Sequence, residues 1–119
     1  MALAGAAAAE RLFVHTAQAA ADTPIKIGVI GCGGRGTGAL LDALGAATRV
    51  IYPASGYHTE DVADGASIEK KDIKVVALAD LFEDRLQRCS QQLVKLGIHV
   101  PKDLQFVGVE AYKQLLAID

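Results

Sequence analysis

Ile25-Lys26-Ile27-Gly28-Val29-Ile30-Gly31-Cys32-Gly33-Gly34-Arg35-Gly36 is the stretch that decides how this chain folds. An apolar, isoleucine-rich run ends in G-x-G-x-x-G and passes directly into a helical pattern. That is the order of a phosphate-cradling turn between a strand and a helix. The glycines answer separate demands: Gly31 allows a sharp exit from the strand, Gly33 lets backbone come close to a pyrophosphate, and Gly36 lets the helix pack tightly. The start of such a helix offers free N–H groups and the positive end of its dipole to an anion.

The residues after the turn support that reading. Ala39, Leu40, Ala43, Leu44 and Ala47 recur at three- and four-residue spacing and predict a helix over residues 37–47. A second apolar run, Ile73-Lys74-Val75-Val76-Ala77-Leu78-Ala79, predicts a strand that ends on Asp80. An acid at that point can accept hydrogen bonds from the hydroxyls of an adenosine ribose. Strand, loop, helix, strand and acid in this order predict a bound dinucleotide, with a glycine turn kept only for packing as the alternative. A Walker A loop requires Lys after its last glycine, where this chain has Thr37. A methyltransferase-type loop carries an acid two positions before its first glycine, where this chain has Val29. S-adenosylmethionine therefore ranks behind a dinucleotide as ligand.

The 119 residues suit one domain with a modest core. A net charge of −2, with acids and bases interspersed, gives neither the basic stripe of a nucleic-acid binder nor a polybasic run for anionic lipid. A small molecule is the expected partner. Cys32 and Cys89 are the two cysteines, too few and too far apart in sequence for a disulfide framework or a zinc site. Cys32 has no neighbouring histidine to activate it and reads as a small residue beside the phosphates.

Residues 1–21 form an alanine-rich block that resembles the end of an export signal, but Glu10-Arg11 interrupts it and no basic region precedes it. It is too short and broken to span a membrane, and its composition predicts a helix. On these features the chain itself is expected in the cytoplasm. Residues 22–119 form the second unit, with an insertion at 49–72 that lengthens the path from Gly31 to Asp80 beyond the usual spacing of ~20 residues. A loop of that length is expected to cover a site or make an interface. Within it, Tyr57 and His58 lack an orienting third group and read as surface residues.

Beyond Asp80, the spacing predicts a helix over residues 81–96 with Phe82, Leu86, Cys89, Leu93 and Leu96 inward and Glu83, Asp84, Arg88 and Gln91 outward, stopped by Gly97. Phe106-Val107-Gly108-Val109 reads as a short strand. Residues 110–118 read as a last helix with Tyr112, Leu115 and Leu116 inward, and His99 reads as structural. The fold class is α/β: a partial Rossmann-like parallel sheet flanked by helices, with the alanine-rich helix in front.

Three segments together, Ile27 through Gly38, Val75 through Leu86 and Phe106 through Leu116, closely resemble the glucose-fructose oxidoreductase and inositol dehydrogenase family, above all its exported bacterial members. The alanine-rich start is similar to what remains of their twin-arginine signal, without the arginine pair. The resemblance implies an NAD(P)-binding Rossmann domain and hydride transfer to or from sugars, polyols or related alcohols. It places Gly31, Cys32, Gly33, Gly34, Arg35 and Gly36 along the pyrophosphate, Asp80 at the ribose and Arg85 near the adenine end. The family's catalytic lysine, in a Glu-Lys-Pro motif, and its substrate domain fall beyond Asp119, so the expected unit is a truncated cofactor domain.

Two functions remain open on the sequence. One is a minimal NAD(P)-dependent oxidoreductase acting on a small alcohol, aldehyde or polyol, with no residue assigned as proton acceptor. The other is a non-catalytic dinucleotide-binding module. NAD is expected ahead of NADP because the Asp80 carboxylate would repel a 2′-phosphate. So few strands in so short a chain also predict a homodimer, with the alanine-rich segment at its interface.

Overall fold

A computed structural model describes residues 23–51, 59–70 and 72–118. The alanine-rich segment, with its expected helix and interface, lies outside the described residues, as do Tyr57 and His58. The elements run β1 (Ile25–Ile30), α1 (Gly34–Ala43), β2 (Thr48–Ile51), β3 (Thr59–Val62), β4 (Ile73–Asp80), α2 (Glu83–Lys95), a 3-10 turn (Lys102–Leu104), β5 (Gln105–Val107) and α3 (Ala111–Leu116). β1, β4 and β5 form a parallel sheet in the order β1-β4-β5, and β2 and β3 form a separate antiparallel ribbon. The architecture is α/β, a three-stranded parallel sheet with helices packed on it.

β4 is the central strand, and its sequence shows it. Val75, Ala77, Leu78 and Ala79 are all buried, the continuous apolar run of a strand covered on both faces. Its pairing with β1 slips by one residue: Ile27 stands opposite Val75, but Gly28 stands opposite Ala77. The slip at Val76 puts Val75 and Leu78, which would point to opposite faces of a regular strand, into one core cluster. That cluster joins Leu40 of α1 and Leu44, the residue that caps it, to Leu86, Cys89 and Leu93 of α2. Burying each of these leucines is worth about 1.5–3 kcal/mol. α3 covers the other face, where a Cβ on Gly28 would come within 2.8 Å of Leu115 Cδ2. The strand glycine is what lets that helix approach.

α1 ends before the predicted Ala47 because Gly45 adopts φ +69°, a conformation open to glycine but strained for other residues. Gly45 N–H donates to Asp42 O and Ala46 N–H to Leu41 O, both at 3.0 Å, which closes the helix in a Schellman turn. Gly97, the predicted stop of α2, ends that helix in the same way, with Ile98 N–H donating to Leu93 O at 2.9 Å.

The insertion at 49–72 is not the plain loop expected, since it holds most of β2 and all of β3. This ribbon packs on α1 and is tied to α2, where the buried Gln92 Oε1 accepts the Val62 N–H at 2.7 Å. It explains why Leu41 is fully buried outside the predicted stripe of α1. Gly38, on the same helix face three residues earlier, faces the Glu60 side chain of β3. Ala39 and Ala47, expected inward, are exposed. In α3 Ala111 is buried and Leu115, expected inward, packs half-buried against Gly28, whereas Tyr112 and Leu116, also expected inward, are 44% and 67% exposed. The helix is only six residues long, too short to bury more than one or two side chains against the sheet. Phe82, also expected inward, precedes the first turn of α2 and is half exposed.

Candidate functional site

The turn between β1 and α1 is held from several sides. Gly31 has φ +93° and donates its N–H to Ala79 O of β4 at 2.9 Å, so the chain leaves β1 while still bound to its neighbour. Gly36 must be glycine for contact reasons, because a Cβ there would overlap the Gly31 carbonyl oxygen and lie 2.8 Å from its carbon. Gly33 differs. Its φ of −70° and ψ of −171° suit any residue, and the nearest atom to a Cβ would be Arg85 Nη1 at 3.9 Å. Nothing among the described residues requires a glycine at that position.

α1 begins at this turn without a side-chain cap and without an acid in its first turn. The first intrahelical bond runs from Thr37 N–H to Gly33 O at 2.9 Å, so the amides of Gly34, Arg35 and Gly36 have no helical acceptor. Those amides open into a cleft of about 680 Å³. The volume is within the usual range of small-molecule and cofactor sites. All the residues singled out from the sequence line it: Gly31, Cys32, Gly33, Gly34, Arg35, Gly36, Asp80 and Arg85. The cleft lies at the carboxyl ends of β1 and β4, where open parallel sheets place their ligands.

Four further residues line the cleft that sequence reasoning missed: Thr37, Glu60, Asp84 and Arg88. Arg88 follows Arg85 by three residues on one helix face, a spacing visible in the sequence. It pairs with Asp61 Oδ1 of β3 at 2.6 Å. Glu60 arrives on the β2-β3 ribbon, which no strong periodicity announced, and its Oε2 accepts a hydrogen bond from Thr48 Oγ1 at 3.3 Å. Arg85 extends over the Phe82 ring, with the guanidinium carbon 5.1 Å from the ring centre. The walls thus carry Arg35, Arg85 and Arg88 against Glu60, Asp80 and Asp84.

No family model, curated protein or solved structure matches this chain. The site therefore stands on its own geometry.

Beneath the turn, the two cysteines that look scattered in sequence come together. Cys32 and Cys89 are both buried in the main core cluster, close enough for each to bear on the other's ionisation. The fold makes this pair by laying α2 under the glycine turn. Contact with Cys89, burial and the nearby Asp80 carboxylate hold the Cys32 thiol well above its ordinary pKa of 9.0. Its Sγ donates to Ala79 O at 3.4 Å. A buried thiol that retains its proton is a poor nucleophile, consistent with a small residue under the turn. Among the described residues, no helix is long and apolar enough to cross a membrane.

Proposed function

We propose that this chain binds a nicotinamide dinucleotide, NAD ahead of NADP, as the cofactor-holding part of an oxidoreductase acting on a small alcohol, aldehyde or polyol. The observation that carries the reading is Gly33, a glycine with ordinary backbone angles and free space where its Cβ would stand. The missing atom leaves room beside three helix amides that have no acceptor among the described residues. A diphosphate fits such a place, because it can accept N–H bonds and meet the positive end of the α1 dipole.

Other features agree with this reading. The sheet order β1-β4-β5 corresponds to one mononucleotide half of a doubly wound Rossmann sheet, whose first strand pairs with its second and the second with its third. The motif resemblance to the glucose-fructose oxidoreductase and inositol dehydrogenase family supports the same cofactor. In this reading Gly33, Gly34, Arg35 and Gly36 hold the diphosphate, Asp80 lies at the ribose end, and Arg85 reaches over the mouth of the turn. A bound nicotinamide supplies hydride transfer, while the chain binds and orients it and shields it from water.

Calorimetric titration with NAD(H) and NADP(H) tests the proposal, beside the same titration of Gly33→Val. Saturable binding by the wild-type protein, lost in a variant that still folds, is the expected result. No binding to either dinucleotide, or equal affinity in the variant, overturns the reading, and preferential binding of S-adenosylmethionine reassigns the ligand. A nicotinamide absorbance assay across small alcohols and polyols then separates the two functions. Binding without turnover identifies a cofactor-binding module.

A further inference from the structure

Asp80 ends β4 and is only 7% exposed, and both of its carboxylate oxygens already accept backbone N–H groups. Oδ2 accepts from Cys32 at 2.6 Å and Oδ1 from Phe82 at 2.8 Å. One donor belongs to the glycine turn and the other to the entrance of α2. A buried carboxylate is tolerated only when its oxygens are satisfied, and these two short charge-assisted bonds satisfy it. The Cys32 peptide is gripped at its other end as well, since its carbonyl accepts from the buried Thr37 Oγ1 at 3.0 Å. Gly31 and Gly33 flank this peptide and resist rotation least of all residues. Without the clasp, the Cys32 N–H and carbonyl would be held only indirectly, through the Gly31 N–H and Cys32 Sγ bonds to Ala79 O.

We infer that Asp80 and Thr37 are positioning residues: they clasp the Cys32 peptide and so fix the glycine turn, and the amides of α1 beside it, before any ligand arrives. The effect on affinity rests on the phosphate-binding reading above, whereas the effect on the turn does not. The clasp also changes what Asp80 is expected to do. A carboxylate that reads ribose hydroxyls sets the ratio between NAD and NADP. A carboxylate that sets the turn acts equally on every ligand that uses it.

Asp80→Asn separates these roles, because the amide keeps the shape of the side chain but offers only one acceptor oxygen for two N–H donors. Hydrogen exchange of the residue 32–36 amides, measured without ligand, is expected to quicken about tenfold or more in Asp80→Asn. Thr37→Val is expected to do the same, and Thr37→Ser to restore the wild-type rate. Affinities of Asp80→Asn for NAD, NADP and ADP are expected to fall by one common factor of about tenfold, the loss of one charge-assisted bond. Unchanged exchange in Asp80→Asn together with an altered NAD to NADP ratio would overturn the inference and make Asp80 a ribose reader. If Asp80→Asn does not fold by circular dichroism, the Thr37 pair decides: exchange in Thr37→Val equal to wild type refutes the clasp. If the wild-type protein binds none of the three nucleotides, the functional reading fails, and the exchange measurement still judges the clasp.

Discussion

Adding a single methyl group at Gly33 or at Gly36 should produce opposite results, although the two glycines belong to one motif three residues apart. At Gly36 the new Cβ would overlap the Gly31 carbonyl and stand 2.8 Å from its carbon, backbone against backbone, with no flexible side chain to yield. Forcing α1 off the turn at that point should cost at least about 1–3 kcal/mol, the range for overpacking a tight interior. At roughly 4 °C per kcal/mol for a chain of this size, Gly36→Ala should melt about 4–12 °C below wild type. At Gly33 the methyl meets nothing closer than Arg85 Nη1 at 3.9 Å. The weaker cap should cost about 1 kcal/mol, offset by about 0.4–1 kcal/mol from the reduced entropy of the unfolded chain, so stability should barely change. Affinity should change instead. Displacing a diphosphate from one amide removes a charge-assisted bond of about 1.5–3 kcal/mol, a loss of tenfold or more. Thermal melts and NAD calorimetry on both variants check this. Equal destabilisation of the two would refute the packing argument, and undiminished NAD affinity in Gly33→Ala would refute the phosphate argument.

Three further outcomes are expected. Gln92→Ala should lose about 1–3 kcal/mol by stranding the Val62 N–H that its Oε1 now accepts at 2.7 Å, and urea unfolding will show it unless another acceptor reaches that strand. The Cys32 thiol keeps its proton in the folded protein above its ordinary value of 9.0, while the unfolded chain gives it up. Its contribution to stability should therefore be level below that pH and fall by about 1.4 kcal/mol per unit above it, and the same slope in Cys32→Ala would exclude this source. Among the described residues β1 has a partner on one edge only, and Ile25 and Ile30 are each more than half exposed. We propose a two-fold dimer that covers this edge, and sedimentation equilibrium showing a stable folded monomer at micromolar concentration would contradict it.

The parts that were legible in the sequence are those whose cause is local. Gly31 through Gly36 and the run from Ile73 to Asp80 carry their conformations in neighbouring residues, so the turn and the central strand could be placed without a structure. The β2-β3 ribbon could not. Thr48-Arg49-Val50-Ile51 and Thr59-Glu60-Asp61-Val62 contain only three apolar residues between them, and they are held by partners elsewhere, Gln92 and Arg88 on α2. With the ribbon unseen, Glu60 was missed as a wall of the cleft and Leu41 as a buried residue. The meeting of Cys32 with Cys89 was hidden for the same reason, since only the packing of α2 under the turn brings the two together. The end of α1 is a different case: Gly45 was in plain view, and the apolar spacing out to Ala47 outweighed it.

The slipped pairing at Val76 acts as a parity element. A strand assigns its side chains to alternate sides by counting, and one uncounted residue inverts the assignment for everything after it. Val75 and Asp80 are five positions apart, an odd interval that would send them to opposite sides of a regular strand. With the slip they emerge on the same side, and the carboxylate meets the turn above the α1 and α2 layer. Deleting Val76 would remove the slip and leave an even interval of four, so Asp80 would still face Cys32. Keeping Val76 and pairing β4 regularly would instead aim Asp80 at the α3 side, away from Cys32. Whether this sheet end can organise an anion site is thus decided several residues upstream of the site, by whether the count is odd or even.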